Sequence, residues 1–188
     1  MSAVGEPGTK ELLSLDELEA AGNLRTGRKH ILSILVENKP GVLTRIAGLF
    51  ARRGFNIDTL AVGPTDDDSV SRITLTLDGA VHPIDQVTKQ LHKLVNVIKI
   101  RDLEPGETIA RELAVFKVSA DSGTRGEIMQ LVEIFKARII DVTKRSIIVE
   151  VVGEADKVAA FEKLVRPFGL IEMAQTGEIA IARGRSET

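Results

Sequence analysis

The chain has 188 residues, 43% of them hydrophobic and 28% charged, with a formal net charge of −2. That balance suits a globular protein with one large core or two small ones, and it lacks the basic excess of proteins that bind nucleic acid. Cysteine is absent, which excludes disulfides, thiolate nucleophiles and cysteine-ligated zinc. The acidic N-terminus is unlike a signal peptide, and no apolar stretch approaches the roughly 20 residues that span a bilayer. We therefore expect a cytoplasmic protein without membrane contact.

Residues 1–29 are predicted to form an N-terminal extension that is partly disordered. The segment carries several glycines among scattered charges. Ser14 followed by Glu17 has the pattern of a capping box, which predicts one short helix within the segment. A frayed arm is the simpler interpretation, and a docking arm for a partner is the alternative.

Residues 30–103 predict a first domain. The run Ile31–Val36 has the length and apolar character of a strand, and apolar residues then recur at helical spacing from Val42 until Gly54 ends the helix. The remaining predicted elements are strands at 55–62, 73–77 and 95–100, an acidic turn after the first of these, and a helix at 84–94. This βαββαβ order is that of a ferredoxin-like unit, in which two helices cover one face of an antiparallel sheet and leave the other open.

The same order of elements repeats after a linker predicted at residues 104–110. Residues 111–184 predict a second domain, and 185–188 a tail. Its predicted elements are strands near 113–118, 139–142, 147–152 and 169–182, and helices near 128–135 and 158–165. The predicted fold class is therefore α+β, with two ferredoxin-like βαββαβ units.

Catalytic chemistry has little support in the sequence. A nucleophile needs an activating base within reach, and His30, His82 and His92 fall in neither nucleophile motifs nor metal-ligand spacings. We predict that all three are solvated surface residues. The acidic run 66–68 either attracts a cation or forms a hairpin turn, and the turn is the commoner meaning. An enzyme in its own right is therefore the least supported class of function.

The segment 37–57 is the best candidate for a ligand site. Gly41 stands at the start of a helix, where unpaired backbone amides carry the positive end of the dipole and a carboxylate can approach closely. Asn38 and Asn56 can each donate and accept hydrogen bonds, which suits a group that holds ammonium beside carboxylate. An apolar wall for an aliphatic side chain is available from Val42, Leu43 and Ile57.

The alternative for this segment is purely structural. Pro-Gly is a common turn, Asn38 then only caps the helix, and Asn56 only helps the chain to leave it. Spacing alone slightly favours the structural interpretation.

The same residues carry a resemblance to a known family. The stretch ILSILVENKPGVLTRIAGLFARRGFNIDTL, residues 31–60, resembles an ACT domain, the amino-acid-sensing module, and specifically that of the acetolactate synthase (acetohydroxyacid synthase) small subunit. The similarity covers roughly residues 30–184, with the more specific matches in RRGFNI and IIDVT. The further similar segments are VGPTD at 62–66, KQLHKLVNV at 89–97, IFKARIIDVT at 134–143 and IARG at 181–184.

The resemblance implies a non-catalytic regulatory chain whose N-terminal domain is an ACT domain. Two such domains are expected to pair about a twofold axis, in a homodimer or a larger symmetric assembly, with the effector at their interface. Valine is the usual effector in the family, with leucine and isoleucine as alternatives. The positions expected to contact the effector are Asn38, Gly41, Val42, Leu43 and Asn56, and Ile57 completes the predicted set.

The partner that the resemblance implies is the large catalytic subunit of acetolactate synthase, in branched-chain amino acid biosynthesis. That subunit is expected to hold thiamine diphosphate, magnesium and FAD, because this chain shows no site for them. The chain is expected to raise the activity of its partner and, with valine bound, to confer feedback inhibition. The alternative is a free-standing tandem ACT sensor that regulates another enzyme or transcription.

Overall fold

The computed structural model describes residues 29–78 and 83–185. The short helix predicted after Ser14, the side chain of His82 and the end of the predicted tail lie outside the described residues. Within the described ranges, no helix is long and apolar enough to cross a membrane.

The first domain has the predicted order of strands and helices. Its elements are β1 (Lys29–Glu37), α1 (Val42–Arg53), β2 (Thr59–Pro64), β3 (Val70–Asp78), α2 (Ile84–Leu91) and β4 (Val97–Leu103). The strands form one antiparallel sheet in the order β2-β3-β1-β4, with β1 and β3 at its centre. This order confirms the ferredoxin-like arrangement.

Helix α1 shows how the local sequence produces the packing of this domain. Gly41 precedes the helix with φ +82° and Gly54 follows it with φ +67°, backbone conformations that glycine adopts without strain. Between them, apolar side chains spaced three and four residues apart form a buried stripe against the sheet. The stripe consists of Val42, Ile46, Leu49 and Phe50.

Parts of the first domain differ from their predictions, and the helix predicted at 84–94 ends already at Leu91. Phe55 is not in a strand, because its amide donates to the Phe50 carbonyl at 3.0 Å and its ring packs edge-on against Phe50, so β2 begins only at Thr59. Val95 lies in the turn before β4 and is 94% exposed. His30 is not a solvated surface residue: its Nδ1 lies 2.9 Å from the Asp102 carboxylate, which the neighbouring strand β4 supplies, and its side chain is 16% exposed.

The second domain repeats the first. After a single 3-10 turn (Pro105–Glu107), its elements are β5 (Thr108–Ser119), α3 (Arg125–Ile134), β6 (Arg138–Val142), β7 (Ser146–Gly153), α4 (Ala155–Val165) and β8 (Leu170–Gln175), followed by a short strand β9 (Ile179–Ala182). The sheet order β6-β7-β5-β8 matches that of the first domain. The segment predicted as a linker, 104–110, contains the 3-10 turn and the first residues of β5.

The core of the second domain is separate from that of the first and is built around aromatic rings. Phe116 in β5 and Phe161 in α4 are both fully buried, with ring centroids 5.2 Å apart. Phe135, at the end of α3, meets Phe161 edge-on at 5.4 Å. Each domain therefore has a hydrophobic core of its own.

Strand β9 covers part of the sheet face that the sequence predicts to be open. β5 is 12 residues long, so it pairs with β7 and β8 along residues 112–119 and with β9 along residues 108–111. β9 in turn lies against β1 and β4 of the first domain, and Ala180 is only 3% exposed there. Ser33 and Thr74, on the face of the first sheet away from its helices, are each 2% exposed.

A charged cluster lies where the two domains meet. Lys29 at the start of β1, Glu112 in β5 and Glu178 before β9 line one small cavity with Glu162 of α4. Glu112 is 4% exposed and accepts a hydrogen bond from Gln175 Nε2 at 2.8 Å. Burial raises the pKa of the Glu178 carboxyl, the negative charge of Glu112 adds to the rise, and the positive charge of Lys29 opposes it.

Glu178→Gln is expected to stabilise the protein at neutral pH. A carboxyl whose pKa is raised by folding favours the folded state below its unfolded-state pKa, and that contribution is lost as the pH rises through the folded-state pKa. The neutral amide removes the charge, so the melting temperature of the variant should exceed that of the wild type by roughly 1–3 °C at pH 7. Near pH 4, close to the pKa of an unfolded glutamate, the two should converge.

Calorimetric melting at both pH values measures this effect. Glu133→Gln, at an exposed position in α3, is the control and should give a small difference that does not depend on pH in this way. A Glu178→Gln variant that melts at or below the wild-type temperature at pH 7 would show that the ionised carboxylate is well accommodated.

Candidate functional site

The loop between β1 and α1 is held in place by the turn between β2 and β3. The backbone amide of Asn38 donates to the Ser69 carbonyl at 2.7 Å, and its side-chain Nδ2 donates to the Asp68 carbonyl at 2.9 Å. No side chain caps the N-terminus of α1. Asn38 is therefore not a helix cap, and it positions the loop instead.

A second hydrogen-bonding network fixes the same loop from the other side. Asn96, in the turn before β4, donates from Nδ2 to Glu37 Oε2 at 2.5 Å and accepts from Arg45 Nη1 at 2.9 Å. The hydrogen bond from Asn96, with a further one from Lys39, holds the pKa of the Glu37 carboxyl below its usual value. Nothing in the segment around Asn96 indicates this contact, so a role for Asn96 is not predictable from the sequence.

The N-terminus of α1 is open. A Cβ added to Gly41 would meet no atom within 4 Å, and the first turn of the helix contains no acidic side chain. The amide of Val42 donates to the Lys39 carbonyl at 3.4 Å, and the next amides of the first turn have no acceptor within the helix and carry the positive end of the dipole. This geometry suits the binding of a small anion, which would approach the helix past Gly41, a residue without a side chain.

The two apolar residues that follow Gly41 have different surroundings. Val42 is 5% exposed and its side chain packs into the core of the first domain, so it does not line the opening in front of the helix. Leu43, in contrast, is 41% exposed, so its side chain reaches solvent beside the helix terminus.

Asn56 and Ile57 lie at the opposite end of α1. Asn56 is exposed and donates from Nδ2 to Asp58 Oδ1 at 3.2 Å, whereas Ile57 is half-buried against the core. α1 has 12 residues, which makes it about 18 Å long. The structure thus brings the 38–43 group together but leaves Asn56 and Ile57 a full helix length away, farther than one valine molecule reaches.

The acidic turn forms as the sequence predicts. The amide of Thr65 donates to the Val70 carbonyl at 3.3 Å and closes the hairpin between β2 and β3. Asp67 accepts hydrogen bonds from the amide and the hydroxyl of Ser69, and these bonds lower the pKa of its carboxyl. Among the described residues, no group of three or more His, Asp or Glu side chains is arranged to hold a metal ion.

A mainly apolar groove lies elsewhere, between β2 and the paired strands β5 and β9. Its volume is about 350 Å³, and apolar residues dominate its lining. None of the predicted effector residues lines it. Exposed aliphatic side chains border it, including Val62, Ile179 and Ile181 at 48%, 65% and 52% exposure. Within one chain, this apolar groove and the open helix terminus are therefore distinct features.

Comparison with known proteins covers both domains. Residues 32–99 match the family model of the AHAS small subunit-like ACT domain, and residues 111–184 match that of the small subunit of acetolactate synthase. The acetolactate synthase small subunit of Mycobacterium leprae is 48% identical over 155 residues, which are 82% of this chain and 92% of that protein. The probable acetolactate synthase small subunit of Archaeoglobus fulgidus is also 48% identical, over 85% of this chain and 99% of that protein.

A solved structure agrees with these matches. The crystal structure of the acetolactate synthase small subunit from Thermotoga maritima is similar with a TM-score of 0.78 and 42% sequence identity, over 85% of this chain and 99% of that chain. The similarity extends through both ferredoxin-like units in the same order. The chain therefore belongs to the acetolactate synthase small-subunit family.

Proposed function

We propose that the chain is the regulatory subunit of an acetolactate synthase, that it binds valine, and that it transmits valine binding to a separate large catalytic subunit. One observation carries the proposal: α1 begins behind Gly41 with no side-chain cap and with open space in front of it. The carboxylate of an amino acid suits this terminus, because the first-turn amides after Val42 have no acceptor within the helix and can donate to it. Leu43 supplies an apolar surface beside it for an aliphatic side chain.

The site requires two chains. Asn56 lies a helix length from Gly41 within one chain, so both contact the same valine only if Asn56 comes from a second copy. Strand β2 supports this arrangement. It is an edge strand with no charged residue, and Leu60 and Val62 are 37% and 48% exposed along it. Edge strands that remain in water usually carry protective charges, so this edge is suited to pairing with another chain.

Antiparallel pairing of two β2 edges about a twofold axis would bring Gly41 of one chain close to Asn56 of the other. The start of β2 lies next to Asn56, and its end lies beside the turn that holds Asn38. An antiparallel pair sets the start of one strand against the end of the other. Each dimer would then hold two valine sites, each with Gly41 from one chain and Asn56 from the other.

Binding at this seam would change the position of one chain relative to the other, and the catalytic subunit would respond to that change. The coupling between effector binding and activity is typically worth about 1–3 kcal/mol, or five- to 150-fold. Thiamine diphosphate, magnesium and FAD would belong to the catalytic subunit. Without valine, the chain would raise the activity of that subunit.

Asn56→Ala is expected to weaken valine binding by roughly 10- to 100-fold. The variant removes a hydrogen bond to a charged group, and such bonds contribute about 1.5–3 kcal/mol. Isothermal calorimetry on the isolated regulatory chain measures the affinity. Gln86→Ala, at an exposed position on α2, is the control and should bind valine as the wild type does. An unchanged affinity for Asn56→Ala would leave Asn56 with only its contact to Asp58.

Mixed dimers test whether the site spans two chains. One chain carries Gly41→Asp and the other Asn56→Ala, each with its own affinity tag for sequential purification. If each site spans two chains, both changes fall in one of the two valine sites and the other site is intact. One valine per dimer should then bind with wild-type affinity. A site within a single chain predicts no wild-type site in the mixed dimer, and that result would reject the proposed arrangement.

A further inference from the structure

The link between β8 and β9, which we define as residues Gln175–Glu178, packs against β2 of the first domain. β2 is the strand that follows the predicted effector residues Asn56 and Ile57. Gly177 lies against the peptide between Leu60 and Ala61 in β2. A Cβ added to Gly177 would lie 2.6 Å from both the carbonyl carbon and the carbonyl oxygen of Leu60, and 3.0 Å from the amide nitrogen of Ala61. These are backbone atoms of a paired strand, so only glycine fits at this position without a shift of the backbone.

The link is hydrogen-bonded to β5 of the second domain. The amide of Thr176 donates to the Leu113 carbonyl at 2.9 Å, and Thr176 Oγ1 accepts from the Leu113 amide at 3.0 Å. Gln175 Nε2 donates to the buried Glu112 carboxylate at 2.8 Å. Leu113 and Glu112 belong to β5, a central strand of the second sheet, so the link moves with that strand.

The start of β2 is equally well held within the first domain. The amide of Asp58 donates to the Thr76 carbonyl at 2.9 Å, and the hydroxyls of Thr59 and Thr76 lie 2.6 Å apart. β2 begins two residues after Ile57, so a change of position at Asn56 and Ile57 passes into β2 with little flexible backbone between them. Across the domain junction, the backbone of β2 meets the link at Gly177.

We propose that Gly177 is a positioning residue through which effector binding at the start of β2 reaches β5 and the second domain. The inference rests on the proposed function, because it takes the effector site at Asn56 and Ile57 as its starting point. Backbone contact suits this role: β2 and the link are each held by hydrogen bonds within their own domain, so they cannot shift past one another as flexible side chains can.

The test replaces Gly177 with alanine in the full chain and reconstitutes it with the catalytic subunit. Valine affinity, measured by calorimetry on the regulatory chain, should stay within twofold of the wild type. The valine concentration for half-maximal inhibition of acetolactate formation should rise at least tenfold, or maximal inhibition should fall below half. Gly126→Ala is the matched control, because a Cβ there meets no atom within 4 Å, and it should leave both measurements unchanged.

Inhibition of the Gly177→Ala complex within twofold of the wild type would overturn the inference. A parallel loss of binding and inhibition would also overturn it, because Gly177 would then only support the fold of the site. If the wild-type chain binds no valine, the proposed function itself fails, and this inference fails with it.

Hydrogen exchange on the wild type gives a second measurement that needs no variant. Valine should slow deuterium uptake at least threefold in peptides that cover β2 and, together with them, in peptides that cover residues 110–114 and 174–180. Protection confined to the first domain would contradict the proposal.

Discussion

Replacing Gly41 with aspartate is expected to abolish valine inhibition while leaving an assembled and active enzyme. A Cβ at this position meets nothing within 4 Å, so the fold accommodates the side chain, and the left-handed backbone at φ +82° costs about 1 kcal/mol. The new carboxylate would stand where we propose that the carboxylate of valine binds. Two like charges about 4 Å apart repel by roughly 4 kcal/mol near a protein surface, which corresponds to more than 100-fold weaker binding.

Acetolactate formation by the reconstituted complex, with and without valine, measures this effect, and calorimetry gives the affinity directly. Gly41→Asn is the matched control because it has nearly the same shape and the same backbone strain without the charge. It should lose less affinity than Gly41→Asp. A folded Gly41→Asp variant that keeps wild-type inhibition would place the carboxylate of valine elsewhere.

Phe161→Ala is expected to have the largest effect on stability, a loss of about 3–5 kcal/mol. Phe161 is fully buried in α4 and its ring contacts both Phe116 and Phe135, so truncation empties the middle of an aromatic cluster. Because the two domains have separate cores, we expect the second domain of this variant to unfold at a lower urea concentration than its first domain.

Urea denaturation followed by circular dichroism measures this loss. Leu164→Ala is the control on the same helix, since Leu164 is 46% exposed and its truncation should cost less than about 1 kcal/mol. A single transition that shifts as a whole in Phe161→Ala would mean that the domains unfold as one unit.

The parts of the fold that depend on local sequence could be predicted. The spacing of apolar residues from Val42 to Phe50 and the glycine at position 54 are enough to define α1, because helix periodicity and a left-handed C-terminal residue are local properties. Tandem βαββαβ order follows in the same way. The position of Phe55 could not be read locally, since its ring contact with Phe50 competes with the apolar pattern of a strand.

In the candidate site, too, local features could be predicted from the sequence and long-range contacts could not. Gly41 stands out in the sequence because Pro-Gly before a helical pattern indicates an open helix terminus. Contacts between distant residues could not be predicted, and these decide what the other side chains do. Asn38 bonds to a carbonyl 30 residues away, and Asn96 reaches Glu37 across 59 residues. Val42 is assigned to the site by the resemblance, yet helix geometry turns its side chain into the core.

The position of β9 has a consequence for how the protein matures during synthesis. The first sheet has all four of its strands once Leu103 has left the ribosome. One of its faces nevertheless stays in contact with water until Ile179–Ala182 emerges, some 80 residues later, and packs across it. In a nascent or prematurely terminated chain, the first domain would therefore have all of its strands while one face of its sheet stayed exposed to water. Burial of that face would require β9.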